Sequence, residues 1–599
     1  MCGIAGFMPT APGAPDSGRV DAMAAALGHR GPDGSGRLSR EGIALVQTRL
    51  AIIDVAGGNQ PLHEPNGAAL VANGEIYNYR ELAKDLGDGV LRTDSDCEVP
   101  LPLYRRDGLD FVHRLRGMYA LALHDPVGAR GPGGRLILAR DPFGIKPLYY
   151  AETPDGLAFA SEPQALLAAG LVARHATGHG DSELLNLQFT TGGDSVFAGV
   201  RRVLPGETLV VERGRVVERH KRPALPADGD GALPMREATA LESLDQVLTD
   251  SVDKHQRADV PYGMFLSGGL DSSALLALMA RLNDRPVVAF TAGFPGTGVR
   301  DERAHAADVA RAVGAEHHEV PFDEDDFWRL LPRVAAALDD PAADYAVLPT
   351  FKLAEAASRH VKVILSGEGG DEMLAGYGRY RHVLKPWPFR KRARRRGALE
   401  GLGLLRDSHR GWREGIAAAE REEMLPGRTP LQVAQAVDCV DWLPNDLLLK
   451  LDRCLMAHGV EGRVPFLDPD VASFAFRLPD HLKVWRNQGK WLLRRWLERH
   501  LPESRPFSPK RGFTVPVGQW IGRRGNELAP LVAENPAVAA MCRPDRVRAL
   551  FRELAERPQG GRRGFAAWVL LFYALWHRAH VAGHGLADDG VSALMDVRG

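Results

Sequence analysis

Two glycine-rich stretches and one residue at the amino terminus carry the chemistry-capable side chains of this chain of 599 residues. The first stretch is Phe265-Leu266-Ser267-Gly268-Gly269-Leu270-Asp271-Ser272-Ser273. Its two glycines let backbone approach a ligand closely, and its serine hydroxyls and free helix N-terminal amides donate hydrogen bonds. The positive end of the helix dipole favours anions. Such a loop is built to hold phosphate. Asp271 would repel a phosphate held alone, so its carboxylate makes sense as a ligand for a magnesium ion travelling with that phosphate. No Walker pattern Gly-x-x-x-x-Gly-Lys-Ser/Thr occurs, which argues against a P-loop kinase or ATPase. The second stretch is Ser366-Gly367-Glu368-Gly369-Gly370-Asp371-Glu372. Two acidic glycine loops meeting across one crevice can bind a magnesium nucleotide and leave one carboxylate over for proton transfer.

At the other end, Cys2 follows the initiator methionine, which is normally removed before a small residue. Removal leaves a thiol beside a free α-amine. A thiol of pKa about 8.5 is a poor nucleophile at neutral pH, and an amine of pKa about 7.7–8.0 can serve as its base. Downstream come Arg49, the run Asn73-Gly74-Glu75, and Asp96. An arginine can grip an α-carboxylate, the acids Glu75 and Asp96 can hold an α-ammonium, and the Asn73 side chain with the Gly74 amide can form an oxyanion hole.

The elements that must position these groups follow from local pattern. Ile4 to Phe7 and Gly42 to Val46 read as strands, separated by the polar turn His29 to Gly34. Tyr262 to Leu266 reads as a buried strand leading through the phosphate loop into a helix from Ala274 to Leu282. Beyond it the spacing predicts strands at Val287 to Ala292, Glu316 to Val320 and Val361 to Leu365. Helices are expected at 238–255, 302–313, 326–338 and 350–358. Strands alternating with helices indicate a parallel sheet with ligands at the strand carboxyl ends, so the two glycine loops should face each other. The Pro/Gly/Ala-rich, charged stretch Lys221 to Glu237 marks a boundary.

These motifs resemble two known families. From Cys2 through Gly117-Met118-Tyr119-Ala120, Arg140-Asp141-Pro142-Phe143-Gly144-Ile145-Lys146 and Ser161-Glu162 the chain resembles class II glutamine amidotransferases, N-terminal-nucleophile hydrolases with a four-layer αββα sandwich. From Ser267 through Asn445-Asp446, Leu451-Asp452-Arg453, Glu461-Gly462-Arg463 and Pro509-Lys510-Arg511 it resembles the ATP-pyrophosphatase-type synthetase domain of glutamine-hydrolysing asparagine synthetases. The resemblance implies an α/β and α+β protein of two domains: a glutaminase at 2–205, a connector at 206–240 and a synthetase at 241–599. It also implies roles for single residues. Cys2 is then the nucleophile, Asn73 and Gly74 the oxyanion hole, and Arg49, Glu75 and Asp96 the glutamine grip. Ser267, Gly268, Gly269, Leu270, Asp271, Ser272 and Ser273 hold pyrophosphate, with Leu266, Ala292, Ser366 and Gly367 around the nucleotide and Asp271 and Asp371 on Mg2+. Glu368 handles the proton of ammonia and Lys510 the charge at the α-phosphate.

The implied reaction activates a carboxylate acceptor with ATP and amidates it with ammonia from glutamine. Aspartate is the default acceptor; peptide, cell-surface and natural-product carboxylates stay open, as does a relative that is non-catalytic or only a glutaminase. The sequence departs from the family where Ser161-Glu162-Pro163-Gln164 lacks a lysine and where Gly462 replaces the usual alanine.

Bulk properties narrow the classes further. A formal net charge of −1 gives no reason to expect nucleic acid as a partner. The cluster Phe389 to Arg396 is read accordingly as a solvated basic face. Five scattered cysteines fit neither a disulfide framework nor a zinc site, and a cytoplasmic location is expected. The apolar run Phe565 to Trp576 is too short to span a membrane and is expected to be a core helix. A homodimer is compatible with the resemblance.

Overall fold

In the computed structural model the described residues are 2–11, 13–127, 133–226, 235–297, 302–386, 389, 394, 396–406, 411–508, 515–558, 561–585 and 587–595. The first domain contains β1 (Gly3–Pro9), β2 (Gly34–Arg40), β3 (Ile43–Arg49), β4 (Leu62–His63), β5 (Ala69–Ile76) and β6 (Gly117–Asp125), followed by β7 (Arg135–Arg140), β8 (Tyr149–Thr153), β9 (Gly156–Ala160), β10 (Arg201–Arg202), β11 (Glu207–Glu212) and β12 (Arg215–Lys221). They form two sheets, in the orders β10-β8-β9-β1-β3-β2 and β12-β11-β7-β6-β5-β4.

Side-chain alternation stacks these sheets. Ile4 and Met8 of β1 enter the core between the sheets together with Ala69 and Val71 of β5 and Ala120 and Ala122 of β6. The intervening residues point outward: Ala5 and Phe7 meet the helix Ser17–Ala26 through Val20 and Met23. Leu70 and Ala72 meet Leu101 and Leu103 of the helix Pro100–Asp107. Strands apolar on both faces need cover on both, and the result is the four-layer αββα sandwich. Residues 207–221 correct the expected connector, because β11 pairs with β7 and β12 with β11 to complete the second sheet. The linking segment therefore starts after Lys221, and the next helix is Glu237–His255.

The second domain is built on β13 (Tyr262–Phe265), β14 (Val288–Gly293), β15 (Glu316–Pro321), β16 (Val363–Leu365) and β17 (Glu461–Arg463). All four pairings are parallel, in the order β15-β14-β13-β16-β17. Because β13 and β16 are neighbours, their carboxyl ends bring the two glycine loops side by side. The close approach explains the glycines. A Cβ on Gly370 would lie 2.5 Å from Asp271 Oδ1, and one on Gly367 would lie 2.9 Å from the Asp271 Cβ. Gly268 and Gly369 take φ of +67° and +88°, the left-handed region in which a Cβ is strained.

The helix Gly561–His580 contains the apolar run 565–576 and is a core element, with Trp568 Nε1 donating to Ala343 O and Trp576 Nε1 to Asp339 O. Among the described residues no helix is long and apolar enough to cross a membrane.

Candidate active sites

Cys2 is held at every polar atom. Its N–H donates to Asn73 Oδ1 at 3.1 Å, its carbonyl accepts from Arg30 Nε at 3.2 Å, and its Sγ accepts from Gln47 Nε2 at 3.0 Å. Burial pushes the thiol above its usual pKa. Asn73 Nδ2 is buried and has no hydrogen-bond partner among the described residues. An unpaired buried amide donor on the side chain that fixes the nucleophile suits the oxyanion-hole expectation. Gly74 sits in β5, where a Cβ would lie 2.2 Å from Met118 O. Gln47 was not singled out from sequence; it follows four apolar residues in β3 and precedes Thr48 and Arg49, with no motif to mark it.

Glu75 and Asp96 are buried beside each other. Burial, Asp96 and Glu461 push the Glu75 carboxyl well above the usual range, and burial pushes Asp96 up to about 6 although its Oδ2 accepts from Ile76 N–H at 2.7 Å. The pair stays raised although Arg463 opposes the shift, so an α-ammonium placed between the acids would favour their charged forms further. Arg49 sits differently from expectation. Its guanidinium donates to Val55 O and Asn59 Oδ1, each at 3.0 Å, and to Ile53 O and Asp54 O. It organises the loop 53–59, and gripping a carboxylate would require it to release one of these acceptors.

The pocket of Cys2 is also bounded by the second domain. β17 brings Glu461 and Arg463 against it, with Arg463 Nη2 3.3 Å from Glu75 Oε2 and Arg463 Nε 2.6 Å from Glu461 Oε1. Despite burial, neighbouring positive groups, Arg463 among them, hold Glu461 down at about 2. Lys146 Nζ donates to Gly462 O at 3.3 Å. A second bridge starts at Arg30, which binds Asp452 through two bonds of 2.8 and 3.1 Å and Glu162 at 2.6 Å. Glu162 also meets Arg453 at 3.1 Å, and Arg453 meets Asp339 at 3.0 Å. All five of these side chains are buried. Asp452 and Arg453 lie on the helix Leu448–Met456, every residue of which is buried. The same helix carries Lys450, whose Nζ is 2.9 Å from Asp344 Oδ2 and 3.9 Å from Glu368 Oε1. One helix thus touches both centres.

At the second centre Leu266, Ser267, Asp271, Ser272, Ala292, Ser366, Gly367, Glu368 and Asp371 line one cavity of about 630 Å³. Gly268, Gly269 and Leu270 line an adjoining cavity of about 470 Å³, shared with Asp271, Asp371, Lys490 and Arg494. The helix Leu270–Leu282 has no side-chain cap at its N-terminus, so its first amides are available to an anion. Ser273 is fully buried within that helix, and its hydroxyl has no partner among the described residues. Burial pushes Glu368 up, with Lys450 opposing; a carboxyl so placed is suited to exchanging a proton. Burial works against the Lys450 ammonium, and Asp344 and Glu368 outweigh it.

Lys490 was not singled out from sequence. Its ammonium bridges the two acids expected to hold the metal, in contact with Asp271 and 2.7 Å from Asp371. Two carboxylates converging on one cation, beside a phosphate loop, are an oxygen donor set that fits Mg2+. Lys510 lies outside the described residues, as do most of residues 390–396. Arg394 of that basic cluster is described and corrects the solvated-face reading: its guanidinium stacks 4.4 Å from the Trp442 ring and 5.3 Å from Phe189.

With both centres in view, the chain can be set beside known proteins. Residues 1–221 match the family of glutamine amidotransferase domains, and residues 243–578 match asparagine synthase. A putative glutamine-hydrolysing asparagine synthetase of Mycobacterium tuberculosis is 34% identical over 97% of each chain. Asparagine synthetase 1 of Bacillus subtilis, also glutamine-hydrolysing, is 31% identical over 98% of each. An amidase of Gibberella zeae is 27% identical over 88% of this chain and 89% of its own. The chain belongs to the glutamine-hydrolysing asparagine synthetase family, ligases with a glutamine amidotransferase domain and an asparagine synthase domain on one polypeptide.

Proposed function

We propose that the chain converts aspartate to asparagine, with glutamine, ATP and water giving glutamate, AMP and pyrophosphate. In this reading the Cys2 thiolate attacks the glutamine amide carbon. Asn73 Nδ2 and the Gly74 N–H receive the oxyanion, and ammonia leaves a thioester that water hydrolyses to glutamate. Glu75 and Asp96 hold the α-ammonium, and Arg49 holds the α-carboxylate on releasing one loop carbonyl.

At the second centre an aspartate carboxylate oxygen attacks the α-phosphorus of ATP. The bond to the β-phosphate breaks, and the products are aspartyl-AMP and pyrophosphate. The loop Ser267 to Ser273 holds the departing pyrophosphate while Leu266, Ala292, Ser366 and Gly367 surround the nucleotide. Asp271 and Asp371 would hold Mg2+, which neutralises phosphate charge when bound. Lys510 would face the α-phosphate. Ammonia then attacks the acyl carbon, Glu368 takes its proton and AMP leaves. Between the centres, the buried interface along the helix Leu448–Met456 keeps ammonia from water, which would protonate it and hydrolyse the adenylate. All five cysteines are free and buried, which suits a reducing cytoplasm.

One observation carries the reading: the helix that binds Arg30, and through it the Cys2 carbonyl, also presents Lys450 to Glu368. The test is pyrophosphate release with ATP, Mg2+ and ammonia across a panel of carboxylic acids. Aspartate is expected to give the fastest release. Silence with aspartate and response to another acid would reassign the acceptor.

A further inference from the structure

One polar side chain is turned into the apolar layer between the two sheets of the first domain. Gln47 of β3 pairs in register with Ile4 of β1, so it shares the inward face on which Ile4 and Leu45 meet Val71 and Ala120. It is 1% exposed. A buried amide among apolar neighbours costs stability unless it is hydrogen-bonded, and leucine or methionine would fill this place without that cost. Among the described residues the Gln47 side chain makes a single hydrogen bond, from Nε2–H to Cys2 Sγ at 3.0 Å.

That bond is not needed to hold the chain there. The Cys2 and Gly3 N–H groups donate to Asn73 Oδ1 and Thr48 Oγ1, each at 3.1 Å, and the Ile4 N–H donates to Ser161 Oγ at 3.0 Å. Gln47 acts on the sulfur alone. A neutral thiol is a weak acceptor, and hydrogen bonds to a charged acceptor are about twice as strong as neutral ones, so this donor favours the thiolate. The thiolate needs favouring. Burial pushes the Cys2 thiol up; the terminal amine and the Leu50 N–H work against burial, and Glu461 of β17 and Glu75 of β5 add to it. Cys97, buried on the turn Asp96–Glu98, is a further titratable neighbour, while Arg30 meets the Cys2 carbonyl rather than the sulfur.

We propose that Gln47 is a catalytic residue of the glutamine-hydrolysing centre: its amide N–H stabilises the Cys2 thiolate before attack and again when water expels it from the thioester. The proposal rests on the glutaminase reading of Cys2 and adds a donor aimed at the sulfur to the oxyanion donors aimed at the substrate. In the first half the Sγ–H bond breaks, its proton moves to the α-amine, and the sulfur electron pair bonds to the amide carbon. Ammonia then leaves with that proton. In the second half a water oxygen replaces sulfur at the acyl carbon, the electron pair returns to sulfur, and the water proton goes to the amine. Gln47 exchanges neither proton nor electrons; it is a preorganised dipole at the two points where sulfur carries charge.

The experiment measures glutamine hydrolysis against pH in the full-length protein for wild type, Gln47→Met, which keeps the unbranched shape without a donor, and Gln47→Leu. Alkylation of Cys2 by iodoacetamide against pH reports the thiolate without turnover, with Cys2→Ala as the blank. Ammonia-dependent amide formation and thermal unfolding are followed in parallel. Both variants should lose about 10- to 100-fold in glutamine turnover at pH 7. The loss should fall on kcat rather than KM, because Gln47 touches the sulfur and not the substrate. Both pH midpoints should move up by about one unit, while ammonia-dependent synthesis stays and Tm holds or rises. Midpoints that stay in place or move down would overturn the proposal and leave Cys2 as the nucleophile. A fall in Tm with equal loss of both nitrogen donors would make Gln47 a packing residue and overturn it as well. Glutamine hydrolysis surviving in Cys2→Ala would overturn the glutaminase reading, and the proposal with it.

Discussion

Replacing Asp452 with asparagine keeps the shape of the side chain that meets Arg30 and removes its charge. Arg30 is fully buried, and its guanidinium has two carboxylate partners, Asp452 through two bonds and Glu162 through one. Removing one partner of a buried ion pair typically costs about 3–5 kcal/mol, because the remaining charge stays desolvated. Glu162 still faces Arg30, but it is shared with Arg453 and His29, so we place the cost at about 3 kcal/mol. For a domain of this size that lowers Tm by about 6–12 °C. Calorimetry of wild type, Asp452→Asn, Arg30→Met and the double variant closes a double-mutant cycle. The double variant leaves no Arg30–Asp452 pair to break, so its loss should fall short of the sum of the singles by at least about 1 kcal/mol. A functional readout accompanies it: glutamate formed per amide made should rise above one in Asp452→Asn, while ammonia-dependent synthesis holds. A Tm within about 1 °C of wild type, or additive losses, would refute the view that this pair joins the centres.

Asn73→Ala removes the unpaired Nδ2 donor and should lower glutamine hydrolysis by about 10²–10³-fold, with ammonia-dependent amide formation as the control that stays. Lys490→Met leaves Asp271 and Asp371 facing each other without their bridging ammonium. Thermal unfolding without metal should then drop by about 1–3 kcal/mol, and added magnesium nucleotide should stabilise the variant more than it does wild type. His255 is buried, its Nδ1–H donating to Ser251 O at 2.8 Å, and burial holds its pKa down at about 3. The unfolded chain takes that proton near 6.5, so the stability tied to neutral His255 is complete above pH 6.5 and lost as pH falls toward 3. Relative to His255→Gln, wild type should lose about 1.4 kcal/mol per pH unit across that window. Parallel stability curves would contradict the burial of a neutral imidazole.

The parts of this protein legible in its sequence are those whose chemistry is contiguous. The loop 267–273 contains its own glycines, hydroxyls and metal-type acid, and the strand before it and helix after it follow from apolar content within a dozen residues. The facing of the two loops follows from parallel-sheet topology, and the glycine contacts at Asp271 match it. β17 was not legible. Its Glu461 and Arg463 look like surface charges, and they are buried because each is the other's partner and Glu75 of the distant first domain completes the set. Strands β11 and β12 fall within the expected connector because its compositional signal, the Pro/Gly/Ala-rich charged stretch Lys221 to Glu237, begins where they end, and the charged, largely exposed β12 does not stand out from it. Arg394 was misread for the opposite reason: five of its neighbours in sequence are basic, yet a single indole decides its place. Lys490 and Gln47 carry no motif, and only the fold brings them to the acids and to the thiol.

The account depends most on two centres working in series for one nitrogen atom. Amide formation by Cys2→Ala, measured side by side with glutamine and with ammonium as nitrogen donor, tests this directly. We expect the glutamine-supported rate to vanish and the ammonium-supported rate to remain near that of wild type. Glutamine use that survives the substitution, or loss of both rates in a folded variant that still binds ATP, would contradict it.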